Sequence, residues 1–246
     1  MKQFIRHISL ITAISLSLAL SVPAGLASAA VTPTDDTAAA DTTSTRLANI
    51  KSKGDQEIAR RLKVLGTLAA KINSTTKLTA IEKTDLKSEV AAEYNSLKAL
   101  QAKLAAETTI AAAAADVQAM VTEYRVYALV VPKILLIKTA DYQQEVQAKL
   151  TTLTAKLQSR INDAGAKGHD ITELQTKLDE MEAKMAIAEA ISGDVESKVL
   201  TLEPTDYNND HGIVGGYQTQ LKTAHTNDAG AVTDAKAIVA GLKALK

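Results

Sequence analysis

Asp206, Asn208 and Asp210 stand in the stretch PTDYNNDHGIVGGY, Pro204 to Tyr217, at the first, third and fifth positions of a calcium-binding loop. Alternate side-chain oxygens, a glycine and a closing glutamate let such a loop wrap a hard cation. Here the pattern stops. His211 takes the place of the glycine, Gly212 comes one residue late, and Tyr217 stands where a bidentate glutamate is needed. Asp, Asn and Gly at this density also make ordinary turns and helix caps, and that is the expectation for the segment. The histidines offer no better metal set. His211 lies in the same loop, His225 falls about four turns further on, and His169 precedes Asp170 in a turn. No H-x-x-x-H or H-E-x-x-H pairing occurs.

Nucleophilic chemistry has no candidate either. No serine stands in a G-x-S-x-G elbow, no glycine-rich loop follows a strand, and the chain has no cysteine. The carboxylates alternate with lysines along amphipathic segments, which marks solvated helix faces. The expectation is therefore a protein that is not an enzyme. No catalytic, cofactor-binding or metal-ligating residue is assigned, and no cofactor is required.

Composition narrows the class of partner. Lys2 and Arg6 form a basic head, an apolar run follows from Ile8 to about Val22, and Ala27-Ser28-Ala29 supplies the small residues that a signal peptidase reads. That apolar run is about fifteen residues, short of the roughly twenty needed to span a bilayer. Residues 1–29 are read as a signal peptide, which places the protein outside the cytoplasm. The chain carries 28 basic and 28 acidic residues, so loss of Lys2 and Arg6 with the leader leaves it two charges acidic. A near-neutral mixture argues against nucleic acid as a partner and against simple attraction to an anionic membrane. Without cysteine there is no disulfide framework, no thiolate zinc site and no lipid-anchoring cysteine. Trp is absent and the single Phe is Phe4 in the leader, so a carbohydrate-binding module that stacks sugars on aromatic faces is not expected.

The rest reads as helix. Ala, Leu, Lys, Glu and Thr dominate, with few Pro and Gly. Residues 30–44, almost free of large apolar side chains, read as a flexible low-complexity linker. A first helix runs from about Arg46 to Asn73, with Leu47, Ile50, Ile58, Leu62, Leu65, Ala69 and Ile72 on one face and Gly54 as a weak point. Thr79-Ala80-Ile81-Glu82 fits a capping box opening a second helix to about Glu107, striped by Leu86, Val90, Tyr94, Leu97, Leu100 and Leu104. A third helix has no convincing stop between Thr109 and Gly165, about 57 residues or 85 Å. Asp170-Ile171-Thr172-Glu173 fits another capping box, opening the clearest seam: Ile171, Leu174, Leu178, Met181, Met185, Ala188, Ser192, Val195, Val199 and Leu202. Its steps of three and four make a heptad repeat. Pro204 ends it, TDYNNDHGIVGG forms a loop, and a fifth helix runs from about Tyr217 to Leu245, with Leu221, Ala224, Val232, Val239, Leu242 and Leu245 inward.

The helix lengths suggest two antiparallel three-helix bundles that share the long third helix, in a spectrin-like arrangement. The domains would be an N-terminal bundle over 45–135 and a C-terminal bundle over 136–246. The apolar girdle Val126, Leu129, Val130, Val131, Ile134, Leu135, Leu136 and Ile137 surrounds Pro132, which should kink the shared helix at the junction. The girdle is interrupted by Lys133 and flanked by Arg125 and Lys138, too short and too charged to span a bilayer alone.

Two segments, VTEYRVYALVVPK (Val121 to Lys133) and PTDYNNDHGIVGGYQTQLKTA (Pro204 to Ala224), resemble a family of uncharacterised exported helical proteins of Gram-positive-type bacteria. The likeness runs from about Arg46 to Leu242. It implies a signal peptide and a helical, coiled-coil-rich body, and it attaches no activity, ligand or site residue. The functional expectation is a non-enzymatic extracytoplasmic scaffold or binding module of the cell envelope. Its partner would be a protein or another envelope component, met by helix faces or by the loop from Asp206 to Gly216. The alternative is a membrane-active protein, pore-forming or lipid-binding, that releases the segment around Pro132 at a bilayer. Against it stands the lack of interfacial anchors, with only Tyr124 and Tyr127 nearby.

Overall fold

The structure, a computed structural model, describes residues 36–245; the leader at residues 1–29 lies outside them. The described chain is all-α. It runs through α1 (Asp36–Ser74), α2 (Ala80–Ala106), α3 (Ile110–Thr122), a π-helical turn (Val126–Val130), α4 (Val131–Ala166), α5 (Thr172–Leu200), α6 (Pro204–Asn209) and α7 (Ile213–Ala244).

Local signals in the sequence explain most of these boundaries. Thr79 and Glu82 form the expected capping box: the Thr79 amide donates to the Glu82 carboxylate at 2.7 Å and the Glu82 amide to the Thr79 hydroxyl at 3.3 Å. The second box does not form. Asp170 instead accepts the Thr172 amide at 3.0 Å and α5 begins one residue later than a box would require, with no side-chain cap on Ile171. At the other end, α1 starts earlier than expected. Asp36–Ser44, read as flexible linker, continues the helix, although Thr42–Thr45 stay exposed. Ala-rich sequence costs little to keep helical once the turns after Leu47 are docked.

The expected 57-residue helix is two helices. α3 stops at Thr122, Arg125 adopts the left-handed conformation (φ 44°), and the chain winds through the π turn before α4. Pro132 therefore does not kink a rod. It occupies the first turn of α4, where its missing N–H is not called on. The wider π turn, in which the amides of Val130 and Val131 reach back five residues to Arg125 and Val126, supplies the space that the proline ring needs from the preceding turn.

Two apolar cores result. The first collects Ile58, Leu65 and Ile72 of α1, Leu86, Leu97 and Leu104 of α2, Met120 of α3, the girdle without Leu135, and Val195, Val199, Leu202, Val214 and Leu221 from α5 through α7. It extends along α4 as far as Ala140. The second is built from α4, α5 and α7, which pack on one another. It holds Leu150, Leu157 and Ile161 against Leu174, Leu178, Met181 and Ile238. Each fully buried leucine in these cores is worth about 1.5–3 kcal/mol relative to exposure. The α5 seam packs as the heptad requires, with Leu174 through Val199 buried. Tyr94 is a correction to the α2 stripe, being 39% exposed. Gly54 is another. It is buried, and a Cβ there would lie 2.5 Å from Leu104 Cδ2 and 2.8 Å from Val117 Cγ2, so its bare Cα lets α1 close on α2 and α3. Of the girdle, Val126, Leu129, Val130, Ile134, Leu136 and Ile137 are buried, whereas Leu135 is exposed. Among the described residues no helix is long and apolar enough to cross a membrane.

Candidate functional site

Lys133, the charge that interrupts the girdle, is 3% exposed. Its ammonium reaches across to α2, 2.9 Å from the Glu89 carboxylate, and donates to the Leu202 carbonyl at 3.1 Å. A buried lysine needs such partners to stay charged. These two fasten α2, α4 and the end of α5 together, and a cleft of about 460 Å³ opens beside them. Glu89 and Glu93, one helical turn apart on α2, line it together with Glu123 after α3 and Glu203 before α6. Leu129, Val130 and Leu202 give it apolar surface, and Thr122, Thr205 and Asn208 add neutral polar groups.

The electrostatics of the cleft are acidic. Burial pushes the Glu93 carboxyl up to about 7, and the negative charges of Glu89 and Glu203 add to the effect. Glu93 Oε1 is covered by protein and receives no hydrogen bond from the described residues. A cationic group placed in the cleft would relieve the crowding of carboxylates.

The segment from Pro204 is not the loop expected. Pro204–Asn209 is a short helix and α7 begins at Ile213, which leaves only Asp210–Gly212 between them. Asp206 accepts the Glu203 amide at 2.8 Å, and Asp210 accepts the Gly212 amide at 2.7 Å. Asn208 accepts from Arg125 Nε at 2.7 Å and donates to the Thr122 carbonyl at 2.9 Å. The calcium-like spacing is thus taken up by turns, caps and a strap onto the α3 terminus. Arg125 lies over the Tyr207 ring at 5.2 Å, and Tyr207 meets His211 edge-on. His169 and His211 are exposed, and His225 is half-buried. The pairing of residues 122–133 with residues 202–208 is what the structure adds, since more than sixty residues separate the two segments.

A second carboxylate cluster lies elsewhere. Glu82 at the start of α2, Asp141 on α4 and Glu196 on α5 bring one oxygen each within 4.8 Å of one another. Burial pushes Asp141 up to about 8, helped by the charges of Glu82 and Glu196. Burial also raises Glu196, which accepts a bond from the Gln144 side chain. Burial pushes Glu82 up too, but its bonds to Thr79, with smaller help from bonds to Glu196 and Asp141, outweigh this and hold it below the usual carboxylate range. Sequence reasoning found Glu82 through its cap and missed the other two. One signal was available: Asp141 follows Ile137 by four residues and so shares its buried face.

Set against known proteins, the chain matches no family model, no curated protein and no solved structure.

Proposed function

We propose that the protein is a non-catalytic helical scaffold and binding module of the cell envelope, acting outside the cytoplasm, and that its cleft receives a cationic group of a protein partner. The observation that carries this reading is the set of four acidic residues, Glu89, Glu93, Glu123 and Glu203, around an open cleft with apolar walls. Only Glu89 has a cationic partner within the chain, Lys133, among the described residues. A lysine, arginine or amino terminus with a short apolar neighbour suits such a lining. The location is supported by the sequence alone, through the basic head, the apolar run and Ala27-Ser28-Ala29. The two segments that resemble exported helical proteins, Val121–Lys133 and Pro204–Ala224, both contribute to this cleft. We attach to the reading a finer architecture of two antiparallel three-helix bundles in a spectrin-like arrangement, over residues 45–135 and 136–246, joined near Pro132.

The test is capture from envelope fractions by the intact chain and by a variant carrying Glu93→Gln, Glu123→Gln and Glu203→Gln. Capture that the variant loses, and that added salt weakens, supports the proposal. Capture of nothing above background by the intact chain, or equal capture by both, sinks it. Vesicle dye release by the intact chain that Leu135→Asp suppresses in a folded variant would replace it with the membrane-active alternative.

A further inference from the structure

We propose that Glu82, Asp141 and Glu196 form a calcium-binding site that staples α2, α4 and α5. Three observations point to it independently of the acidic cleft. The three carboxylates come from helices distant in sequence, yet one oxygen of each lies within 4.8 Å of the others. Two oxygens across a single calcium ion, at 2.3–2.6 Å each, are at most about 5 Å apart, so the three stand at a spacing that one ion closes with a side-chain shift of a few tenths of an ångström.

The second observation is an orphaned pair of atoms. Asp141 is 9% exposed and Glu82 6% exposed. Asp141 Oδ2 and Glu82 Oε1 are covered by protein, and no amide, hydroxyl or cationic group among the described residues donates to them; the carboxyls face only one another. A covered carboxylate oxygen without a donor costs free energy unless a cation or a proton meets it. No ion pair reaches Glu82, Asp141 or Glu196 among the described residues; Lys77 pairs with Glu145, Lys133 with Glu89 and Lys198 with Asp194.

Third, the outer contacts hold the set in place. The Thr79 amide fixes the other oxygen of Glu82, and the Gln144 side chain donates to Glu196. The donor set contains oxygen only, which selects a hard cation over zinc or copper. Calcium tolerates irregular ligand placement and gathers several carboxylates. Magnesium dehydrates reluctantly and usually takes one or two.

The experiment uses the purified full chain, stripped with EDTA and dialysed. Calcorimetric titration with CaCl2 should show one ion per chain with a Kd of about 10⁻⁵–10⁻³ M, and MgCl2 should bind more weakly. Calcium should raise the Tm, and terbium should bind with luminescence sensitised by tyrosine, Tyr142 being next to Asp141. Asp141→Asn and Glu196→Gln should each lower calcium affinity at least about tenfold. Asp141→Asn also removes carboxylate repulsion, so the calcium-free variant should melt no lower than the parent, which separates lost binding from lost folding. Absence of calcium binding overturns the proposal and leaves a shared proton as the group between Asp141 and Glu82. Binding that persists unchanged in both variants overturns it as well, since the ion then sits elsewhere.

Discussion

The second core and the layer above it are made from the same three helices and obey different rules. Around Leu150, Leu178 and Ile238 the facing side chains are mostly aliphatic, methionine or alanine, with Thr154 bonded to its own helix and Asp234 paired with Lys184, and the α5 heptad is apolar from Leu174 to Ala188. One or two turns away, between the two cores, Gln143, Gln147, Ser192 and Asp228 are all at most 5% exposed. Two bonds cross between helices, Gln143 to the Leu221 carbonyl at 2.8 Å and Gln147 to the Ser192 hydroxyl at 3.3 Å, while Ser192 also donates within its own helix to the Ala188 carbonyl at 2.9 Å. Gln143 Oε1 and Asp228 Oδ1 have no donor among the described residues. The aliphatic layer supplies stability. The polar layer costs some of it and penalises slipped registers, because a shift along the heptad would face its amides with leucines.

The contrast predicts the largest loss from the aliphatic side. Leu178→Ala, at a side chain with no exposure, should cost about 3 kcal/mol through lost burial and a residual cavity. Denaturant unfolding reads it directly, and a loss below that of the polar-layer variants would break the comparison.

Asp228→Asn should act in the opposite direction. Burial pushes the Asp228 carboxyl up to about 7, partly offset by a bond from Gln147. The folded state keeps this proton while the unfolded carboxyl releases it near pH 4. The unfolded state then binds fewer protons, so stability falls as pH rises from about 4 to about 7 and levels off above. The asparagine removes that slope and should stabilise the protein at pH 8 by about 2 kcal/mol. Melting curves at pH 5 and pH 8 in EDTA check it. An unchanged pH slope would mean that Asp228 is ionised in the folded state.

Lys133 sharpens the same point at the joint. Lys133→Ala should lose about 1–2 kcal/mol by leaving the Leu202 carbonyl unpaired and a gap in the girdle. Lys133→Met should recover most of that through packing, as replacement of buried ion pairs by apolar groups often does. A methionine variant as unstable as the alanine one would show that the charge itself holds the joint. The smallest effect belongs to Asn208→Ala, an exposed strap whose two bonds to Arg125 and Thr122 are worth about 1 kcal/mol together. Hydrogen exchange at the end of α3 should rise in that variant while the second core stays protected.

The α5 seam, the capping box at Thr79 and the inward faces of α1 and α2 were legible in the sequence. Each depends on residues three or four apart, and helical propensity and periodicity act at that range. Asp116, Asp141 and Asp228 were not. They sit at buried positions of their helices, beside Ala113 and Met120, Ile137, and Ala224 and Ala231, but the charge pattern of lysines and acids made them look solvated. Burial of a charge is decided by what the neighbouring helix offers, and periodicity carries no information about that. Pro132 shows the same limit. The proline announced a break, but its position could not say whether the chain would kink there or unwind beforehand at Arg125. By itself the sequence determined an all-helical chain, the seams that drive its packing and the helix starts with good caps, because these are local consequences of side-chain type and spacing. Only the tertiary structure decided the break at residues 123–130, the acidic cleft and the meeting of Glu82, Asp141 and Glu196, because each requires segments far apart in the chain to share one small volume.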